Sequence, residues 1–164
     1  MPDLTKAMGI NRPSLYAAFG SKEGLFRKAL DRYDEGPAAY VREGLNEPTA
    51  RAVAQRLLEG AIDVMTDRRN PRGCLMVQGA LACGEAAESI RKELIARRLA
   101  SEAAIRERFK RAIADGDLPD DSNPADLARY LVAVLHGIAV QAAGGASRAE
   151  LRRVAAVALR AWRE

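Results

Sequence analysis

Histidine is nearly missing from this sequence: His136 stands alone among 164 residues, and Cys74 and Cys83 are the two cysteines. One imidazole and two thiols at that separation match no metal-ligand or redox spacing. There is also no nucleophile–base pattern and no glycine-rich phosphate loop, so catalysis is not expected and no cofactor is indicated. No apolar run is long enough to cross a bilayer, and no leader pattern opens the chain. A reduced, cytoplasmic setting with no membrane partner is therefore expected. Period-two alternation, internal repeats and low-complexity tracts are missing as well, which argues against sheet and solenoid architectures.

What remains is a chain of helical patterns with ample material for a core, since 48% of the residues are hydrophobic. The length suits one compact unit, or a small head on one body. Charge is unevenly placed: three of the four net positive charges fall within residues 1–33. Lys6, Arg12, Lys22, Arg27, Lys28 and Arg32 there outnumber Asp3, Glu23 and Asp31. An anionic partner at this end would explain the excess; a solvated helix surface would explain it equally well.

The stretch from Asp3 to Leu30 reads as a helix, a tight turn and a second short helix. Leu4, Ala7 and Met8 share one side of the first. Gly9 is placed to end it in a left-handed conformation, with Ile10 as a buried plug behind the turn. Asn11 is a good cap for the second helix and Pro13 fits its first turn. Leu15 and Phe19, four apart, face inward. Gly20 ends that helix and Ser21 caps the next, whose inner face is Leu25, Phe26 and Leu30. It is expected to run from Lys22 to Asp34, with an interruption at Gly36-Pro37.

Further along, Ala38 to Leu45 can resume helix, and Thr49 caps an amphipathic helix from Ala50 to Asp67. Its stripe is Val53, Leu57, Ala61, Val64 and Met65, with Ala54, Leu58 and Ile62 beside it. Cys74 to Ala82 is almost wholly apolar, is expected at the centre of the body, and is ended by Gly84. Glu88 to Asp115 is the longest helix, with Ile90, Leu94, Ile95, Leu99, Ile105, Phe109, Ala112 and Ile113 inward and an arginine- and glutamate-rich outer face. Gly116 ends it. Asn123 and Pro124 open a helix to about Ala143. Ser147 and Glu150 form a capping box before a final helix. The fold class is all-α.

The segment GINRPSLYAAFGSKEGLF resembles the helix-turn-helix signature of tetracycline-repressor-like (TetR-family) transcription regulators. Gly9, Leu15, Tyr16, Phe19, Ser21, Lys22, Glu23 and Leu25 carry the match, and RGCLMVQGAL resembles the helix behind the effector cavity in part of that family. The resemblance implies a helix-turn-helix head over residues 1–34 and a helical effector-binding and dimerisation body over 35–164. Family members carry a further helix ahead of this point, so the head is expected to lack its first helix.

The resemblance also implies roles. Arg12, Pro13, Ser14 and Ala17 fall where base edges are approached, and Asn11, Tyr16 and Lys22 where phosphates are met. Arg12 can bond guanine in two places, or be a solvated arginine; Tyr16 can equally be a packing residue with a wet hydroxyl. In the last two helices, Leu127, Leu131, Val134, Leu135, Ile138, Leu151, Val154, Ala155, Ala158, Leu159 and Trp162 are expected to meet a second copy, the alternative being that they finish the core. An effector cavity is expected among Met65, Met76, Gln78, Leu81, Phe109 and His136, the alternative being ordinary core. The implied protein is a ligand-responsive repressor that binds double-stranded operator DNA as a homodimer and releases it to an unidentified small-molecule effector. The other reading is a helical ligand-binding or protein-interaction module without a working head.

Overall fold

The helix at Ala50–Thr66 is the axis of the molecule, because its apolar residues do not keep to one stripe. Val53, Ala54, Leu57, Leu58, Ala61 and Ile62 are all fully buried, and at about 1.5–3 kcal/mol for each large side chain this helix anchors the core. The structure, a computed structural model, describes residues 2–82 (the backbone alone for 80–82) and 88–162. The described elements are α1 (Pro2–Met8), α2 (Arg12–Phe19), α3 (Lys22–Glu35), α4 (Ala39–Gly44), α5 (Ala50–Thr66), α6 (Leu75–Ala82), α7 (Glu88–Ala114), α8 (Pro124–Ala143) and α9 (Arg148–Ala158), then a 3₁₀ turn at Leu159–Ala161. Among the described residues there is no strand.

Capping chemistry sets most of these boundaries. Thr49 accepts from the Ala52 amide and Asn123 from those of Ala125 and Asp126. Ser147 and Glu150 form the reciprocal capping box. The α4–α5 contact depends on a missing side chain: a Cβ on Gly60 would lie 2.6 Å from the Tyr40 ring. Around α5 pack α8, α9, α4 and α7, with Phe109 of α7 and Trp162 closing the far end at a ring-centroid distance of 5.9 Å.

Four expectations are corrected. First, α6 is not the centre; it sits to one side against α7, α8 and α3, with Val77 buried and Leu75 and Met76 only partly so. An apolar run seven or eight residues long cannot signal by itself which of its faces is covered. The proposed terminator Gly84, like Cys83, lies outside the described residues. Second, Leu99 is 60% exposed, because at 3.6 residues per turn it falls well off the buried stripe of Ile90, Leu94, Ile105 and Phe109. Third, Arg108, placed on the outer face, is 7% exposed: its Nη2 donates to the carbonyls of Glu47 and Pro48, binding the α4–α5 loop to α7. Fourth, at the other end, Ile10 is half-buried rather than sealed, and Leu4 and Met8 are exposed. Leu15 is the one fully buried side chain of α1 and α2.

Candidate nucleic-acid interface and ligand cavity

Two left-handed glycines shape the N-terminal end. Gly9 at φ +64° closes α1 and Gly20 at φ +71° closes α2, conformations that cost other residues roughly 1–2 kcal/mol. Between them the Asn11 Oδ1 accepts from the Ser14 amide at 2.9 Å and fixes the start of α2. Leu15 points into the fold and Phe19 is half-buried, whereas Arg12, Pro13, Ser14 and Ala17 are exposed and Tyr16 is 44% exposed. Lys22, at the start of α3, is exposed too. All seven residues named from the sequence are thus exposed, and neither Ser14 nor Ala17 is covered. The Asn11 carbonyl oxygen is spent on the cap, so its amide NH₂ is the group left for a partner.

α3 joins this end to the body through ion pairs. The Arg97 guanidinium of α7 reaches Asp31 and Asp34 of α3 at 2.7 Å each and Glu93 of its own helix at 2.8 Å. Glu93 also receives Arg27 of α3 at 2.7 Å. Hydrogen bonds from Arg97 and then Arg27 hold the Glu93 carboxyl below its ordinary value against partial desolvation. Beneath the charges, Leu30, Ile90 and Leu94 form a small separate core with Phe26, Leu75 and Met76 against it. Of the basic residues counted toward an anionic partner, Arg27 is therefore committed internally.

A cavity of about 320 Å³ opens beside this joint, between α3, α4, α5, α7 and α8. Met65, Met76 and His136 are among the residues that line it. Phe109 does not; it is fully buried against Trp162. Gln78 lies over the preceding loop, donating to the Arg72 carbonyl, and the Leu81 side chain is outside the described residues. The sequence reading missed Tyr33, Tyr40, Cys74, Arg97, Arg98 and Val132, all on the wall. Tyr33 and Tyr40 look like linker residues in sequence; their approach to Cys74 depends on how α3 and α4 fold back. Burial, with Cys74 nearby, pushes both phenols well above their ordinary value. Burial first, and then Arg98, lowers the His136 value, so the imidazole is neutral near pH 7.

The residues assigned to a dimer contact divide. Leu131, Ile138, Leu151, Ala155, Ala158 and Trp162 are buried within the chain's own core, Leu127 and Leu159 pack against it, and Leu135 lines the cavity. The first six are enclosed by the chain's own packing, whereas Leu127, Leu135 and Leu159 are only partly buried. Val134 and Val154 remain partly open. Beside them Tyr130, Val140 and Val157 are exposed, and a groove between α8 and α9 runs over Tyr130, Val134, Glu150, Arg153, Val154 and Val157.

A two-helix head with an outward second helix, joined to an all-helical body, has the architecture of a helix-turn-helix transcription regulator. Residues 1–29 match the family model for bacterial regulatory proteins of the tetR family, and residues 48–162 that for the tetracyclin repressor-like C-terminal domain. The whole chain aligns with the HTH-type transcriptional repressor ComR of Escherichia coli (strain K12) at 30% identity, over 79% of that protein. It also aligns with the uncharacterised HTH-type regulator YezE of Bacillus subtilis (strain 168) at 27% identity, covering 80% of this chain and 69% of the other. Among solved structures, the TetR-family regulator CifR, in a cysteine-substituted form complexed with a 26-bp double-strand operator, superposes with a TM-score of 0.94 at 44% identity. That match covers 99% of this chain and 86% of CifR. A TetR regulator from Rhodococcus sp. RHA1 gives 0.73 at 43% identity, over 98% of this chain and 86% of its own. The chain belongs to the TetR family and is a DNA-binding transcription regulator. The reading as a module without a working head is not favoured, since the likeness to operator-bound CifR extends through α1 and α2. No helix among the described residues is long and apolar enough to cross a membrane.

Proposed function

We propose that this regulator acts in the cytoplasm as a repressor rather than an enzyme, seating α2 in the major groove of a near-palindromic operator as a homodimer and letting go when a small effector fills the cavity. Residues 1–34 serve as the reading head and 35–164 as the sensing and dimerising body. The observation that carries this is the open face of α2, with Arg12, Ser14, Tyr16 and Ala17 all exposed beside Lys22. Arg12 reads a guanine edge, Ala17 can meet a thymine methyl, and Asn11, Tyr16 and Lys22 hold phosphates. A two-fold pair of such heads spaced about 34–36 Å apart suits half-sites one helical turn apart. The groove between α8 and α9 supplies the two-fold contact.

Release follows from the position of Arg97, which lines the cavity and grips α3 at Asp31 and Asp34. A ligand that displaces this guanidinium loosens the linking helix and changes the spacing of the heads. The magnitudes are compatible: part-exposed ion pairs contribute up to about 1 kcal/mol each, and allosteric couplings are typically about 1–3 kcal/mol. The test is binding of the protein to DNA from upstream of its own gene across a range of salt concentrations. Log affinity should fall linearly with log salt as phosphate counterions are released. Affinity that ignores both salt and DNA sequence would refute the reading.

A further inference from the structure

Taking the cavity as the effector site, we propose that its ligand is a small, mostly apolar molecule bearing one anionic group, a carboxylate or its equivalent, which docks on the guanidinium of Arg98. Two arginines stand on the wall, and they are not equivalent. Arg97 is saturated by Asp31, Asp34 and Glu93. Arg98 is half-buried, its Nε is shut off from solvent without a hydrogen-bond partner, and it has no ion pair among the described residues. A guanidinium is charged at every relevant pH and cannot escape by losing a proton. The enclosed Nε is a desolvated donor without an acceptor, which is costly.

The neighbouring groups do not neutralise it. His136 is held in its neutral form by burial and by Arg98 itself. Glu102, one turn further along α7, lies near enough to act on His136 but reaches outward to Arg129 at 3.5 Å. On the cavity wall Arg97 and Asp34 pair with each other, which leaves the Arg98 guanidinium as the charged group there without an ion pair among the described residues. Apart from the Arg97–Asp34 pair and His136, the wall is mostly apolar, with Met65, Val77, Ile105, Val132 and Leu135, and carries hydroxyls at Tyr33, Tyr40 and Ser101. Such a space rejects a hydrated polyanion and accepts an apolar body with a single acid at its edge. Arg97 lines the same cavity, so a ligand held there also adjoins the grip on α3.

The test is calorimetric titration of the full chain at neutral pH with naphthylacetate and with naphthylacetamide, molecules of one shape that differ in charge. Wild-type protein should bind the carboxylate about tenfold or more tightly than the amide. Arg98→Met should erase the preference while keeping the amide's affinity, and Arg98→Lys should retain part of it. Arg98→Met loses an unpaired charge and should melt no lower than wild type, which guards against a folding artefact. Equal binding of the two probes, or an undiminished preference in Arg98→Met, overturns the anionic ligand and leaves the effector cavity standing. Val132→Trp, which fills the space, separates the two questions. Probe binding that survives it lies elsewhere, and the effector-site reading then fails together with this one. If neither probe binds wild type, the anionic ligand is refuted.

Discussion

His136 sits on the cavity wall with Arg98 and Glu102 as its charged neighbours, and burial outweighs the attraction of Glu102. Its native value lies below the ordinary 6.5, so between the two values the unfolded chain holds a proton that the native chain does not. Stability from this group is complete above 6.5 and is lost as pH falls toward the native value. Since it is the single histidine of the chain, no other side chain ordinarily titrates between about pH 7.5 and 5.5. The melting temperature of the wild type should fall across that window, and that of His136→Asn should fall less. Equal slopes would remove the burial account. On α2, Arg12→Ala should cost about 1–3 kcal/mol of operator affinity and relax the preference at one base pair. Lys22→Ala should weaken all sequences alike and lower the salt slope by about 1. An Arg12→Ala protein with unaltered sequence preference would cancel the base-reading role. These surface residues were legible in the sequence because a turn signature fixes their register. Arg98 and Arg108 were not: an arginine on a long charged helix reads as solvent-facing, and only the packing of α5, α6, α8 and the 47–48 loop against α7 shows which arginines are covered.

At the scale of elements, capping residues and glycines proved the most readable signals. Thr49, Asn123 and Ser147 open α5, α8 and α9 where the sequence places them, because each cap is a local hydrogen bond. The order of burial was less readable. α6 is the most uniformly apolar segment yet lies at the side, whereas α5, with charges at Arg51, Arg56 and Glu59, is the axis. Hydrophobicity sets how much surface an element can bury, and its neighbours decide whether it does. The joint between α3 and α7 is long-range, with Arg27 and Glu93 distant in sequence, and no periodicity announces it. Arg97→Met should free the second half of α3, so amide exchange over residues 27–35 should quicken while α5 stays protected. Unchanged exchange there would mean that Leu30, Ile90 and Leu94 alone hold the linking helix, and the release route through Arg97 would fall.

At the scale of the whole molecule, the apolar residues of α8 and α9 divide between two uses, and sequence pattern could not separate them. A stripe wide enough to meet both the core and a second chain exceeds what one face of a helix in a monomer needs. Leu131, Ile138 and Leu151 took the inner part. What stays outside is a line at helical spacing on α8, Tyr130, Val134, Gly137 and Val140, beside Val154 and Val157 of α9. Val140 and Val157 are 53% and 59% exposed, and a Cβ built on Gly137 would meet nothing within 4 Å. That open space makes Gly137 a clean probe. Within a single chain, Gly137→Leu begins from a Cβ with open space around it and should even favour the helix, since glycine there costs roughly 0.5–1 kcal/mol relative to alanine. If a second copy packs across this line, the added side chain holds the two helices apart. Gly137→Leu should therefore leave the fold and its far-ultraviolet circular dichroism intact while shifting sedimentation from dimer toward monomer. Val157→Asp should do the same by burying a charge at the contact. Operator affinity should fall in both, because the two heads would then bind independently and lose their shared effective concentration. A dimer that persists in both variants would place the two-fold contact on another face of the body.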